Sequence, residues 1–123
     1  MTNPLRPIGA TGASPLSPAI EAGSLVFISG QVGTDPATGT APPGVEDQTR
    51  IALDRITALL TTAGLSRDRI VKTTVYLADI REIGTVNAIY REYFAEPFPA
   101  RTTIAATLPK PELRVEIEAI ALR

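Results

Sequence analysis

Residues 113–122 alternate between two kinds of side chain, and this alternation constrains the fold more than any other feature of the chain. Successive side chains of a β-strand point to opposite faces of a sheet. One face of the predicted strand is apolar: Leu113, Val115, Ile117, Ala119 and Ala121. The other face is mixed: Arg114, Glu116, Glu118, Ile120 and Leu122. This second face is too apolar to lie in water and too charged for the core of a monomer, so we expect it to contact other subunits of a closed, symmetric assembly.

Upstream of this strand, the spacing of apolar residues changes between strand-like and helix-like periods. The predicted elements are, in chain order, an irregular lead-in at 1–18, strands at 16–22 and 25–28, a helix at 45–63, a strand at 70–78, a helix between 79 and 97, and strands at 101–108 and 113–122. The order β-β-α-β-α-β-β predicts one α+β domain over residues 1–123. We expect a mixed sheet with both helices on one of its faces.

Turn and capping residues mark the ends of these elements. Glu21 to Ser24 is expected to form a hairpin turn, and Gly64 stands where a C′ glycine would end the first helix. Asp79, with Glu82 three residues on, resembles a capping box at the start of the second helix. Residues 109–112, Pro-Lys-Pro-Glu, are expected to join the last two strands as a hairpin.

The chain has no histidine and no cysteine, which excludes several chemistries. A Ser-His-Asp triad, imidazole acid/base catalysis, a thiolate nucleophile, a disulfide framework and a zinc cluster all require one or the other. Catalysis would have to rest on Asp, Glu, Arg, Lys, Tyr, Ser or Thr, with water and backbone groups. The carboxylates have no spacing typical of a calcium or magnesium loop, so we expect no metal site.

The charge and hydropathy of the chain limit the kinds of partner that it can bind. Twelve Lys and Arg are interleaved with 13 Asp and Glu, for a net charge of −1, so there is no basic face for nucleic acid. No stretch of 18 apolar residues occurs, and the first residues lack a basic segment followed by an apolar one. We therefore expect neither a membrane anchor nor a signal peptide, and a cytoplasmic protein.

Two charged residues are candidates for chemistry. Arg101 begins a strand directly after Phe98-Pro99-Ala100, and a guanidinium held there could bind a carboxylate through two parallel hydrogen bonds. The alternative is a surface arginine with no role. Glu116 lies among apolar neighbours, where burial could raise its pKa and let it accept a proton from water. An ion pair with Arg114 or with a neighbouring chain is the alternative for Glu116, and Glu118 competes for either role.

Three further residues are weaker candidates. Asn87 shares the helix face that should be buried, and a buried amide needs hydrogen-bond partners. We favour a structural role for Asn87, holding a neighbouring segment, over direct contact with a substrate. Ser29 and Gly30 end an apolar strand, where they offer a hydroxyl and a backbone that a ligand can approach closely.

Six segments, in their order and spacing, resemble the YjgF/RidA family of reactive intermediate deaminases. They are FISGQ at 27–31, DPATG at 35–39, VKTTVYL at 71–77, VNAIY at 86–90, FPAR at 98–101 and VEIEAIA at 115–121. The resemblance implies a chorismate-mutase-like fold and a homotrimer whose helices lie outside while its sheets line a central barrel. It also implies active sites in clefts between subunits.

The resemblance implies a reaction as well: cofactor-independent hydrolysis of 2-imino or enamine acids, such as 2-iminopropanoate and 2-iminobutanoate, to 2-oxoacids and ammonia. Arg101 would bind the substrate carboxylate and Glu116 would position or activate the water. The implied pocket is completed by Ser29, Gly30, Asn87 and Thr103. Two residues differ from the best-known members of the family: Leu16 stands in place of a tyrosine, and Thr103 in place of a cysteine. Because of these two differences, the sequence does not predict which imine is preferred.

Two other functions fit the same residues. One is a non-catalytic trimer that binds small carboxylates or serves as a scaffold for a partner. The other is a pathway-specific deaminase acting on a larger enamine, of the aminoacrylate or aminomuconate type. Ribonuclease activity, sometimes attributed to this family, fits poorly with a chain that has no histidine and no basic groove.

Overall fold

Six strands and two α-helices make up the computed structural model, which describes residues 4–123. The strands are β1 (Arg6–Ile8), β2 (Ala19–Ala22), β3 (Leu25–Val32), β4 (Ile70–Leu77), β5 (Ala100–Ala105) and β6 (Val115–Leu122). The helices are α1 (Val45–Thr62) and α2 (Ile83–Tyr93), and short 3-10 turns occupy Arg67–Arg69 and Ile80–Glu82. The predicted α+β class is confirmed. None of the helices described is long and apolar enough to cross a membrane.

The strands form one mixed sheet in the order β1-β2-β3-β6-β4-β5. Only β4 and β5 run parallel; the other neighbours are antiparallel. The predicted hairpin between the last two strands is wrong, because β6 lies between β3 and β4 while β5 pairs with the far side of β4. The reason is that α2 connects β4 to β5, and a strand–helix–strand crossover makes its two strands parallel.

Both helices cover the same face of the sheet, as predicted, and the core lies between them. Its fully buried members include Ala52, Leu53, Ile56 and Leu60 of α1 and Val115 and Ile117 of β6. Gly64 has a left-handed backbone (φ 77°) directly after the last turn of α1, which confirms the predicted C′ glycine. On the opposite face, which we call the open face, Glu116 and Glu118 are half-buried and Phe27 is 40% exposed.

Three local predictions need correction. Within the predicted irregular lead-in, Arg6–Ile8 form an edge strand against β2, where Pro7 is tolerated; residues 1–3 of the lead-in lie outside the described residues. The strand predicted to begin at residue 16 begins at Ala19. Asp79 does cap a helical turn, accepting from the Arg81 N–H at 3.0 Å, but the turn is 3-10 and the Glu82 side chain bonds Arg114 instead of closing a capping box.

Candidate active site

Arg101 lies near the start of edge strand β5, and its side chain turns toward the helices. Its backbone is aligned with Thr73, a buried residue of β4 whose side chain faces the core. The Arg101 guanidinium donates from Nη2 to Asn87 Oδ1 of α2 at 2.6 Å. It also stands 4.9 Å from the centroid of the Tyr90 ring, a distance at which a cation is attracted to the aromatic face. Two groups of α2 therefore hold the guanidinium in one place.

The Tyr90 ring that supports Arg101 is itself fixed by the core. Its hydroxyl shares a hydrogen bond of 2.9 Å with Thr73 Oγ1. Burial raises the pKa of Tyr90, so the ring stays neutral beside the guanidinium. A small cavity of about 210 Å³ opens here, and its lining residues are Asn87, Tyr90, Arg91, Phe98, Pro99 and Arg101. It has room for a ligand smaller than a typical drug and brings a fixed positive charge to that ligand.

Thr103 lies two residues beyond Arg101 on β5, so its side chain points to the same side of the sheet. Its Oγ1 is buried and has no hydrogen-bond partner among residues 4–123. Buried hydroxyls nearly always have a partner. The Thr103 hydroxyl is therefore an exception, and it does not line the cavity beside Arg101.

Glu116 lies on the open face of β6 and approaches the backbone of β3 at Gly30. A β-carbon placed on Gly30 would lie 2.8 Å from Cδ and 3.1 Å from Cγ of Glu116, and it would clash with Oε2. The approach occurs where β3 bulges between Ile28 and Gln31. Glycine is therefore required at position 30 to leave room for the Glu116 carboxylate. The sequence suggested a different reason, the close approach of a ligand to the Gly30 backbone.

Ser29 directly precedes Gly30, and its hydrogen bonds connect β3 to the segment that carries Leu16. The Ser29 hydroxyl donates to the Ser17 carbonyl at 2.7 Å, and the Ser29 N–H donates to the Pro18 carbonyl at 2.9 Å. Both bonds tie β3 to the segment before β2, which also carries Leu16. The Leu16 side chain is 53% exposed on that segment.

Tyr76, which the sequence analysis did not single out, joins the carboxylates of the open face. Its hydroxyl donates to Glu118 Oε1 at 2.7 Å. Burial raises the pKa of the Glu116 carboxyl, and the charge of Glu118 raises it further. Arg114 is not the partner of Glu116, because its guanidinium pairs with Glu82; the sequence alternative of an Arg114–Glu116 ion pair is wrong. The sequence pattern of β4 identifies a strand but does not indicate the Tyr76–Glu118 bond. That bond depends on the register between β4 and β6.

The sequence-predicted residues therefore fall into two groups on opposite faces of the sheet. Arg101, Asn87 and Thr103 share the helix side of β5, whereas Glu116, Gly30 and Ser29 share the open face around β6 and β3. β4 separates the two groups in the strand order. One small molecule cannot touch Arg101 and Glu116 of the same chain.

A larger cavity, of about 520 Å³, lies away from both groups, next to Arg67 and Tyr93. The Arg67 guanidinium is already engaged there, donating to the Tyr93 carbonyl at 3.2 Å and to Thr57 Oγ1 at 3.1 Å. Size alone does not make it the better candidate for binding an anion, because the other charged residues that line it, Asp68 and Glu96, are carboxylates. Within residues 4–123, no cluster of three acidic side chains could hold a metal ion.

Comparison with known proteins identifies close relatives over nearly the full chain. The family model described as Endoribonuclease L-PSP matches residues 8–123. The 2-iminobutanoate/2-iminopropanoate deaminase of Mus musculus is 45% identical over 111 residues, covering 89% of this chain and 82% of the relative. The protein of the same name from Escherichia coli K12 is 42% identical over 113 residues, covering 89% and 88%. A crystal structure of E. coli TdcF with bound serine superposes with a TM-score of 0.84 at 39% identity, covering 96% and 94%.

Proposed function

This chain belongs to the Endoribonuclease L-PSP family, and from that premise we propose that it hydrolyses 2-imino acids and their enamine tautomers to 2-oxoacids and ammonia. Relatives at 42% and 45% identity carry the name of this reaction for 2-iminobutanoate and 2-iminopropanoate. The observation that carries the proposal is the Arg101 guanidinium, held by Asn87 and Tyr90 at a small cavity. A cytoplasmic location, as the sequence predicts, belongs to the same proposal.

In this proposal Arg101 binds the carboxylate of the imino acid. The planar guanidinium matches a carboxylate, and its hydrogen bond to Asn87 occupies only one of its five N–H donors. Thr103 lies on the same side of β5, but its hydroxyl is buried outside the cavity lining, so a substrate would reach it only if neighbouring side chains moved. The small cavity favours short acids of the 2-iminopropanoate and 2-iminobutanoate class.

Glu116 reaches this substrate only if it comes from another copy of the chain. Within one chain the two groups lie on opposite faces of the sheet, so a site that uses both requires two subunits. The open face that carries Glu116 also exposes Phe27 and Leu122, apolar side chains suited to a contact between copies. We propose a closed trimer in which Arg101 of one subunit faces the partner subunit's Glu116.

The hydrolysis then needs only water and this carboxylate, because an iminium carbon is already electrophilic. Glu116 takes a proton as a water oxygen bonds to the iminium carbon, giving a tetrahedral amino alcohol. Glu116 returns that proton to the amine nitrogen. The hydroxyl proton then passes to Glu116 as the carbon–nitrogen bond breaks and the 2-oxoacid forms. The released ammonia takes this proton and departs as ammonium, which restores the carboxylate. A carboxyl whose pKa is raised by burial is suited to take up and return a proton in this way.

The test is to follow the disappearance of enzymatically generated 2-iminobutanoate with wild-type protein and with Arg101→Ala. The variant should lose on the order of 10²–10³-fold in kcat/KM, because it leaves the substrate carboxylate without its charged partner. Arg50→Ala is the matched control, since Arg50 is a half-exposed arginine of α1 that is paired with Glu92 and does not line the cavity. An Arg101→Ala variant as active as wild type would overturn the proposal.

The same experiment separates the binding-module alternative. If the wild-type protein does not accelerate the reaction but 2-oxobutanoate raises its melting temperature, and does so only with Arg101 present, the chain binds small carboxylates without catalysis.

A further inference from the structure

We propose that Tyr76 and Glu118 act as positioning residues that set the protonation of Glu116, so that Glu116 works as a proton acceptor near neutral pH. This inference deepens the proposed function and rests on it. Neither residue would touch the substrate; both would act through the Glu116 carboxylate.

The register of the sheet places the three side chains together. In the antiparallel pair of β4 and β6, Tyr76 is aligned with Glu116 and Thr74 with Glu118. The Tyr76 phenol does not bond the residue opposite it. It reaches diagonally along the open face and donates to Glu118 Oε1 at 2.7 Å. Meanwhile Glu116 leans the other way, against Gly30 of β3. The two carboxylates therefore have different partners although they share one face of one strand.

The phenol fixes a negative charge beside Glu116. The hydrogen bond to Glu118 raises the pKa of Tyr76, so the phenol keeps its proton and remains a donor. A donor bonded to a carboxylate favours the charged form of that carboxylate. Glu118 lies two residues from Glu116, about 7 Å along the strand, close enough for its charge to act on Glu116 across a partly buried surface.

Within one chain, the charged groups around Glu116 are engaged elsewhere. From β4, the Lys72 ammonium is directed to the Thr73 carbonyl at 2.9 Å and to Thr74 Oγ1 at 3.4 Å. At the start of β6, Arg114 is engaged by Glu82. The nearest part of β3 is Gly30, which carries no charge. Among residues 4–123, Glu116 takes part in no ion pair. In the proposed trimer the partner subunit's Arg101 also faces Glu116 and favours its charged form, and it does so equally in wild type and in the Glu118 and Tyr76 variants.

Two neighbouring carboxylates in unlike environments can take different roles. Here Glu118 is bonded by the Tyr76 phenol, while Glu116 is half-buried and has no such donor on the open face. The pKa of Glu116 is raised by burial first and by Glu118 second. A base of raised pKa accepts a proton from water more readily, provided that it is still ionised at the working pH.

The first experiment is the pH dependence of kcat/KM for wild type, Glu118→Gln and Tyr76→Phe. In Glu118→Gln the acid limb should move to lower pH and the plateau should fall by roughly 2–10-fold, because Glu116 becomes a weaker base. Tyr76→Phe removes the hydrogen bond that holds Glu118 and lets its carboxylate turn toward water. The acid limb of this variant should also move to lower pH, but by a smaller amount than in Glu118→Gln. Glu46→Gln removes an exposed charge from the first turn of α1 and should leave the profile unchanged. A limb that stays at its wild-type position in Glu118→Gln would overturn the inference.

A second measurement is independent of catalysis. The titration of the Glu116 side chain can be followed by carboxyl carbon NMR in the same proteins, and the Glu116 pKa should be lower in Glu118→Gln than in wild type. If wild type proves inactive, the proposed function fails while this titration still decides whether the pair acts on Glu116. If wild type is active and the Glu116 titration is the same in both proteins, only the inference fails.

Discussion

Gly30→Ala is a sharp test of where the Glu116 carboxylate must lie. Gly30 does not have a left-handed backbone, so alanine can adopt its conformation without strain. The three atoms nearest to the new methyl group all belong to the Glu116 side chain. The end of a glutamate side chain is flexible, so the substitution should move the carboxylate and leave the fold intact.

The size of the displacement follows from the contacts. The methyl carbon would meet the Glu116 carboxyl carbon at 2.8 Å, whereas ordinary contacts begin at 3.4 Å. The Oε2 atom lies closer still, so the carboxylate must retreat by about 1 Å. A misplacement of about 1 Å in a catalytic geometry can cost on the order of 10²-fold in rate. We therefore expect Gly30→Ala to lose about 10²-fold in kcat, with KM changing much less, since Arg101 is untouched.

The assay is steady-state hydrolysis of 2-iminobutanoate, with circular dichroism and melting temperature measured on the same samples. Gly84→Ala is the control, because a β-carbon at that position of α2 meets no atom within 4 Å. That variant should keep its activity and gain up to about 1 kcal/mol from better helix propensity. A folded Gly30→Ala protein that retains wild-type kcat, with Glu116 shown by crystallography to have moved, would refute the reasoning.

Two further outcomes follow from packing and charge. Gly33→Ala places a methyl group 2.6 Å from the Gln48 Cα of α1, a backbone atom that cannot withdraw, so we expect about 1–3 kcal/mol of destabilisation in urea unfolding. Glu116→Gln should raise the melting temperature at pH 7 but not at pH 3. The folded pKa of Glu116 is raised, so ionisation costs stability as pH rises past the ordinary glutamate pKa, and glutamine removes that cost. Equal melting-temperature differences at both pH values would contradict this.

The elements of the fold were predictable from local pattern, but one pairing was not. Apolar spacing located both helices and most strands, and Gly64 ended α1 where its chemistry requires. The hairpin prediction is wrong because β5 and β6, although neighbours in sequence, are separated by β4 in the sheet. The strand–helix–strand order of β4, α2 and β5 indicates that β4 and β5 run parallel. It therefore also indicates that β6 need not pair with β5. Strand β1 escaped detection because it has three residues and contains Pro7.

Part of the candidate site was likewise predictable from the sequence and part was not. Residue chemistry and motif order pointed to Arg101, Glu116 and Asn87, since their neighbours in sequence constrain them. The bond between Tyr76 and Glu118 joins residues 42 positions apart and exists only in one strand register. The clash that makes Gly30 necessary likewise depends on β6 lying beside β3. Such relations arise from the assembled sheet and leave no local trace in the sequence.

The central claim is that imine hydrolysis takes place between Arg101 of one subunit and the carboxylate of another. Arg101→Ala and Glu116→Gln chains should each be inactive alone, and co-refolding them in equal amounts tests the claim directly. Random assembly should restore about a quarter of the wild-type sites, each with an intact Arg101 from one chain and an intact Glu116 from its neighbour. Mixed assemblies, verified by mass spectrometry, that stay as inactive as their parents would contradict the account.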